Sequence, residues 1–154
     1  MPKRTATPAA ARTPKSSPKV TWGSGTADDP WVLKTPSLSS EYQAWRDETV
    51  KPAALGVQVG STRLSYQLRC IDDLKAMLRT RGDWVLLGNA DEGKPTPEGS
   101  IEAWARSASN PVGGYYGLRK GYRGRFANYV TPVLELLGHI ELEHAAKNNR
   151  ARSL

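Results

Sequence analysis

The spacing of apolar residues changes several times along this 154-residue chain, and each change marks an element. Residues 1–27 hold Pro, Ala, Ser, Thr and Lys with almost no large apolar side chain, too little to offset the entropy of ordering them. Order is expected to begin near Asp29-Pro30-Trp31-Val32-Leu33. The stretch Ala53–Val59 alternates as a strand does, Gly60-Ser61 supplies a turn, and Leu64, Tyr66 and Leu68 alternate again, which predicts a β-hairpin. The period then becomes helical: Ile71, Leu74, Met77 and Leu78 recur at three- and four-residue steps, acids open the segment at Asp72-Asp73, and Gly82 closes it. Trp84–Leu87 predicts a short buried strand, 89–100 a loop, and Ile101–Ala105 a short helix.

In the last third, Asn110-Pro111-Val112-Gly113-Gly114 is a turn. Tyr122, Phe126 and Tyr129 fall at i, i+4 and i+7, which predicts a helix from Leu118 onward, with the three aromatics facing the core. Pro132 is expected to break or restart it, with Thr131 as cap of a new helix running to Gly138. Ile140–His144 alternates as an edge strand, and Asn148-Asn149 turns it into a final strand through Arg150 and Arg152. The expectation is an α+β protein: a single small domain over 28–154 behind a disordered basic tail, 1–27. Its closing helices and hairpin resemble a winged helix-turn-helix in order of elements, with Pro132–Glu141 as the passage from recognition helix to wing.

Charge sharpens this picture. The net charge of +7 is unevenly placed. Lys3, Arg4, Arg12, Lys15 and Lys19 stand in the first twenty residues with no acid, the middle is mildly acidic, and residues 106–154 hold eight cations against three acids. Segregated positive charge favours polyanions through counterion release. Thr13-Pro14-Lys15-Ser16-Ser17-Pro18-Lys19 resembles the Ser/Thr-Pro-Lys stretches of linker-histone tails, which implies a DNA-touching arm; a solubilising leader is the alternative. Cys70 stands alone, so an intrachain disulfide and a Cys-rich zinc site are excluded. No apolar run is long enough to span a bilayer and no apolar segment follows the first cations, which leads to the expectation of a cytoplasmic protein without a membrane partner.

Candidate chemistry concentrates at the glycine-rich stretch 113–125. It lacks the Gly-Lys-Ser/Thr of a phosphate loop and the preceding strand of a dinucleotide fingerprint. What remains is Arg119, Lys120, Arg123 and Arg125 interleaved with Tyr115, Tyr116 and Tyr122, and the cations Lys147, Arg150 and Arg152 that could extend the same patch. Arg forks match phosphate oxygens and a guanine edge, and Tyr stacks on unpaired bases. His139 and His144 are explained by an exposed strand face, Asp72-Asp73 by a helix dipole, Asp91-Glu92 by a loop, and Cys70 by a buried apolar role, so no metal or cofactor is expected. Trp31, Trp45, Trp84 and Trp104 are expected in the core and Trp22 at the surface. The leading function is non-enzymatic nucleic-acid binding, DNA before RNA. A protein-interaction module is the alternative. An enzyme would need a concave site joining residues such as Asp83, Arg123 and His139.

Residues from about Pro30 to the end also resemble a family of small bacterial proteins, mainly actinobacterial, known as a domain of unknown function. The stretches that carry the likeness are Leu68–Leu74, Gly82-Asp83-Trp84, Asn110–Leu118, Arg123–Phe126 and Asn148-Asn149-Arg150. The resemblance implies one compact domain and supplies no activity.

Overall fold

The computed structural model describes residues 22–154. The expectations for the N-terminal stretch, including Lys3, Arg4, Arg12, Lys15 and Lys19, fall outside the described residues. Four strands, β1 (Trp31–Lys34), β2 (Glu41–Asp47), β3 (Ala54–Val59) and β4 (Thr62–Gln67), form an antiparallel sheet in chain order. Strand registry sets Trp31 beside Ala44, Ala44 beside Val57 and Val57 beside Leu64, so one face presents a continuous apolar row. The hairpin of β3 and β4 stands where alternation predicts it. Strand β2 has no counterpart among the elements that the sequence pattern predicts. Its period-two signal from Tyr42 and Ala44 is masked by Trp45, which is buried on the opposite face over Gly56. A Cβ at Gly56 would lie 2.4 Å from the Trp45 ring.

Helix α1 (Cys70–Arg81) buries Cys70, Ile71, Leu74 and Leu78. Asp72 and Asp73 occupy its first turn, and Gly82 ends it in the left-handed region, donating its amide to Leu78 O. Burial pushes the Cys70 thiol well above its ordinary pKa, in keeping with its apolar role. There follow β5 (Val85–Leu86), α2 (Ile101–Trp104), α3 (Phe126–Leu136), β6 (Ile140–Leu142) and β7 (Arg150–Ser153). The last three strands form a second antiparallel sheet in the order β5–β7–β6. The whole is a mixed α+β domain around a single core.

Two helix boundaries depart from the sequence pattern. The helix expected from Leu118 begins only at Phe126, because residues 116–123 spend their backbone groups elsewhere. The Leu118 amide donates to Ser65 O, the Gln67 amide donates to Tyr116 O, and the amides of Gly121 and Arg123 donate to the Glu92 carboxylate. Tyr122 is therefore 43% exposed, while Phe126 and Tyr129 reach the core as expected. Pro132 neither breaks nor restarts the helix. It sits inside α3, and Thr131 is a mid-helix residue whose hydroxyl donates to Ala127 O at 2.6 Å, not a cap. The proline's cost is outweighed by burial of its neighbours Val130, Val133 and Leu134.

No residue of α3 is exposed. The helix touches α1, α2, β1 and β6. Phe126 anchors an aromatic cluster with Tyr66, Trp104 and Tyr116 at ring separations of 5.4–6.1 Å. Two tyrosine hydroxyls tie the first sheet to this layer: Tyr42 donates to Tyr129 O at 2.8 Å and Tyr66 donates to Gly124 O at 2.7 Å. The N-terminus of α3 is closed from α2. Glu102, 1% exposed, accepts from the amides of Phe126 (3.2 Å) and Ala127 (2.9 Å) and from Arg106 Nη2 (3.2 Å). Desolvation still holds its carboxyl above the ordinary value.

Candidate nucleic-acid interface

The glycine-rich stretch folds against the acidic loop 89–99. Gly124 lies so close to this loop that a Cβ there would come within 2.2 Å of the Glu92 backbone nitrogen. A Cβ at Gly117 would likewise come within 2.5 Å of the Arg123 Cα. These contacts let Glu92 reach across. Its Oε1 accepts from the amides of Gly121 (3.0 Å) and Arg123 (2.8 Å) and from Arg123 Nε (2.9 Å), and its Oε2 accepts from Arg123 Nη2 (3.0 Å). Hydrogen bonding from the Arg123 side chain leads the effects that pull the Glu92 carboxyl down to about 2.

Beside it, Arg125 donates Nε to Asp91 Oδ1 and its amide to Ala90 O. Its backbone is left-handed, with φ 58°. Arg106 gathers the same loop through the carbonyls of Ala90, Asp91 and Lys94. The guanidinium groups of Arg106 and Arg123 lie 5.3 and 4.4 Å from the Tyr115 ring. The last two arginines of the candidate set are also paired. Arg150 binds both carboxylate oxygens of Glu143 (3.0 and 2.6 Å), Arg152 binds Glu141 (2.9 Å), and both lie over Trp84. Trp84, expected in the core, is half-buried against these guanidiniums on the polar face of the second sheet.

Four of the seven described candidate cations, Arg123, Arg125, Arg150 and Arg152, are thus neutralised by the chain's own acids. Arg119, Lys120 and Lys147 have no carboxylate within 4 Å among the described residues. Lys147 lies on the loop between β6 and β7. Arg119 and Lys120 lie on the loop before α3, where Arg119 Nη1 donates to Arg63 O at 2.6 Å and its guanidinium stacks 4.1 Å from the centre of the Tyr122 ring. Arg63, also without a carboxylate partner, projects from β4 over Trp45 and donates to Gln58. Sequence reasoning missed Arg63, because it stands in the acidic middle; the packing of 116–119 along the β4 edge brings Arg119 to its main-chain carbonyl, while its own guanidinium lies over Trp45.

A cleft of about 450 Å³ opens beside the cluster, between the β3–β4 hairpin and the loops carrying Asp91 and Tyr122. Val59 and Leu64 form apolar wall, and Tyr122, Tyr129, Asp91 and Arg125 line the rest.

The remaining candidates are accounted for locally. Asp73 accepts from Arg69 and from the Tyr116 hydroxyl. His144 bonds Pro36 O at 2.8 Å and Glu135 Oε2 at 2.6 Å. Asp83 binds the Trp84 amide, Arg123 is held by Glu92, and His139 stands within electrostatic reach of Lys75 and Asp72, so these three are not drawn into one site. Among the described residues no cluster of three or more His, Cys, Asp or Glu converges, and no helix is long and apolar enough to cross a membrane.

The fold defines a small α+β domain with two antiparallel sheets. The family model described as "Family of unknown function (DUF6855)" matches residues 23–154, and the chain belongs to that family. No curated protein and no solved structure matches it.

Proposed function

We propose that this protein binds nucleic acid without catalysing a reaction on it, and that Arg119 and Lys120 on the loop of exposed Tyr122, together with Arg63 on the adjoining β4 edge, make the phosphate contacts on the folded part. One observation carries this reading: Arg119 and Lys120 stand beside exposed Tyr122 without a carboxylate partner, as does Arg63 on the strand whose main chain Arg119 grips, while the other arginines of the glycine-rich stretch are held by Glu92 and Asp91. Five of the 22 Lys and Arg and none of the 15 acids precede Trp22, so the N-terminal stretch adds affinity that is independent of sequence. The helix that a winged-helix reading would lay in a DNA groove, α3, packs against four elements and leaves only Asn128, Glu135 and Leu136 partly open. The cluster of cations with an exposed aromatic suits an unpaired strand, where bases stack and phosphates lie alongside.

The test is binding of the full chain to labelled single-stranded DNA, its RNA counterpart and the duplex across a salt series. Replacing Arg63, Arg119 and Lys120 together by Ala is expected to weaken binding to the single strands and to lower the salt slope by about 2, the share of three phosphate contacts. A triple variant with an unchanged slope refutes the assignment of the site. Absence of salt-sensitive binding to any of the three probes refutes the function.

A further inference from the structure

We propose that the cleft beside Tyr122 receives an unstacked guanine base of a single strand whose phosphates lie on Arg119 and Lys120. This deepens the nucleic-acid reading and rests on it. The cleft is of the size that accepts small organic groups. Val59 and Leu64 offer apolar surface to a flat heterocycle, and Tyr122 and Tyr129 add aromatic surface. Tyr122 also carries Arg119 stacked on its ring, so one side chain borders both the cleft and the cation cluster.

The polar groups select the base. Glu92 is fully engaged by Gly121 and Arg123 and offers no acceptor to a ligand. Asp91 and Arg125 are different: a single Nε–Oδ1 bond joins their side chains, and both groups are about half exposed. Asp91 Oδ2 accepts no hydrogen bond among the described residues, and the Arg125 guanidinium, which also lies against the Tyr129 side chain, has no second carboxylate. A carboxylate acceptor thus stands next to guanidinium donors.

Guanine carries the fullest match, with two donors, N1–H and N2–H, beside the O6 and N7 acceptors, whereas thymine and uracil set a single donor, N3–H, beside a carbonyl and make the weaker pair. Adenine would turn the N1 lone pair towards the carboxylate, and its N6 amine towards a guanidinium that has only donors. The left-handed backbone at Arg125 and the bond from its amide to Ala90 O fix where this guanidinium starts.

The experiment compares a thymine strand bearing one central guanine with an all-thymine strand, by fluorescence anisotropy on the full chain. The guanine strand is expected to bind about tenfold tighter, the discrimination of one bidentate pair. D91N should erase this preference, the charge it frees on Arg125 acting on both strands alike, and Y122A should weaken the guanine strand more than the thymine strand. Equal affinity of the wild-type chain for both strands overturns the proposal, as does a guanine preference that survives D91N.

Guanosine monophosphate as competitor separates the two sources of the base. Weak displacement agrees with a strand as ligand, and tight binding of the free nucleotide with no strand preference overturns it. Salt-sensitive binding without guanine preference leaves the phosphate-contact reading standing and removes only the base site. Loss of all strand binding removes both.

Discussion

Glu102 is the residue whose removal should cost the fold most for the fewest atoms. Replacing it with Ala deletes the acceptor for two buried amides, those of Phe126 and Ala127, at the start of the helix that packs against α1, α2 and both sheets. Each unsatisfied buried donor costs about 1–3 kcal/mol. Arg106 softens the loss, since it keeps its bonds to the carbonyls of Ala90, Asp91 and Lys94. The expected penalty for E102A is therefore about 3–4 kcal/mol, a large share of the stability of a domain this size. E102Q keeps one carbonyl acceptor but turns an amine towards a second donor, and should cost about 1–2 kcal/mol.

Urea unfolding followed by tryptophan fluorescence measures both, with a shifted midpoint and an unchanged slope as the signature. The folded protein holds the Glu102 proton more tightly than the unfolded chain does, because its pKa is raised above 4.5. This group's contribution to stability therefore falls as pH rises from 4.5 through the folded value, and E102Q should remove that decline. A penalty for E102A below about 1 kcal/mol would mean that water satisfies the two amides, and the capping argument would be wrong.

Three further outcomes are expected. His144 should titrate above its ordinary value of 6.5, chiefly because the Glu135 carboxylate accepts from its ring; its stabilisation is complete below 6.5 and is lost as pH rises through the folded value, and an NMR titration in which E135Q leaves that value unmoved would disprove the pairing. Glu92 behaves with the opposite sign: its contribution is present above 4.5 and disappears as pH falls towards about 2. E92Q should speed amide hydrogen exchange at Gly121 and Arg123, and unchanged exchange would show that the loop holds itself. G124A should cost about 1–3 kcal/mol in urea unfolding, since its Cβ meets backbone that cannot rotate away, and a cost under about 0.5 kcal/mol would refute the close approach.

Much of the fold is legible in the sequence where one periodicity acts alone. The β3–β4 hairpin, α1 with its Gly82 stop, and the β6–β7 hairpin follow from alternation, helical spacing and turn residues. Reading fails where a side chain from far along the chain decides. The i, i+4, i+7 aromatics promise a helix from Leu118, but Glu92 takes the amides such a helix needs. Strand β2 is hidden because Trp45 finds a seat over Gly56 on the outer face. The candidate site fails to read through for the same reason. A run of arginines looks like a basic patch until their partners, Asp91, Glu92, Glu141 and Glu143, are seen beside them, and formal charge along a sequence does not record who neutralises whom. Arg63 joins the remaining cations only through a strand-edge contact that no local pattern encodes.

The two tyrosine hydroxyls that fasten the first sheet to the layer around α3 divide the burden of evolution unequally. Each donates to a main-chain carbonyl, at Tyr129 and at Gly124, and every amino acid brings that acceptor with it. A change of side chain at position 129 leaves its half of the joint chemically intact, whereas a change to Phe at position 42 or 66 abolishes the donor. The alignment of the two layers thus depends on the side chains of Tyr42 and Tyr66, while position 129 can change within the limits that packing sets and Gly124 is held by its contact with the 90–92 backbone.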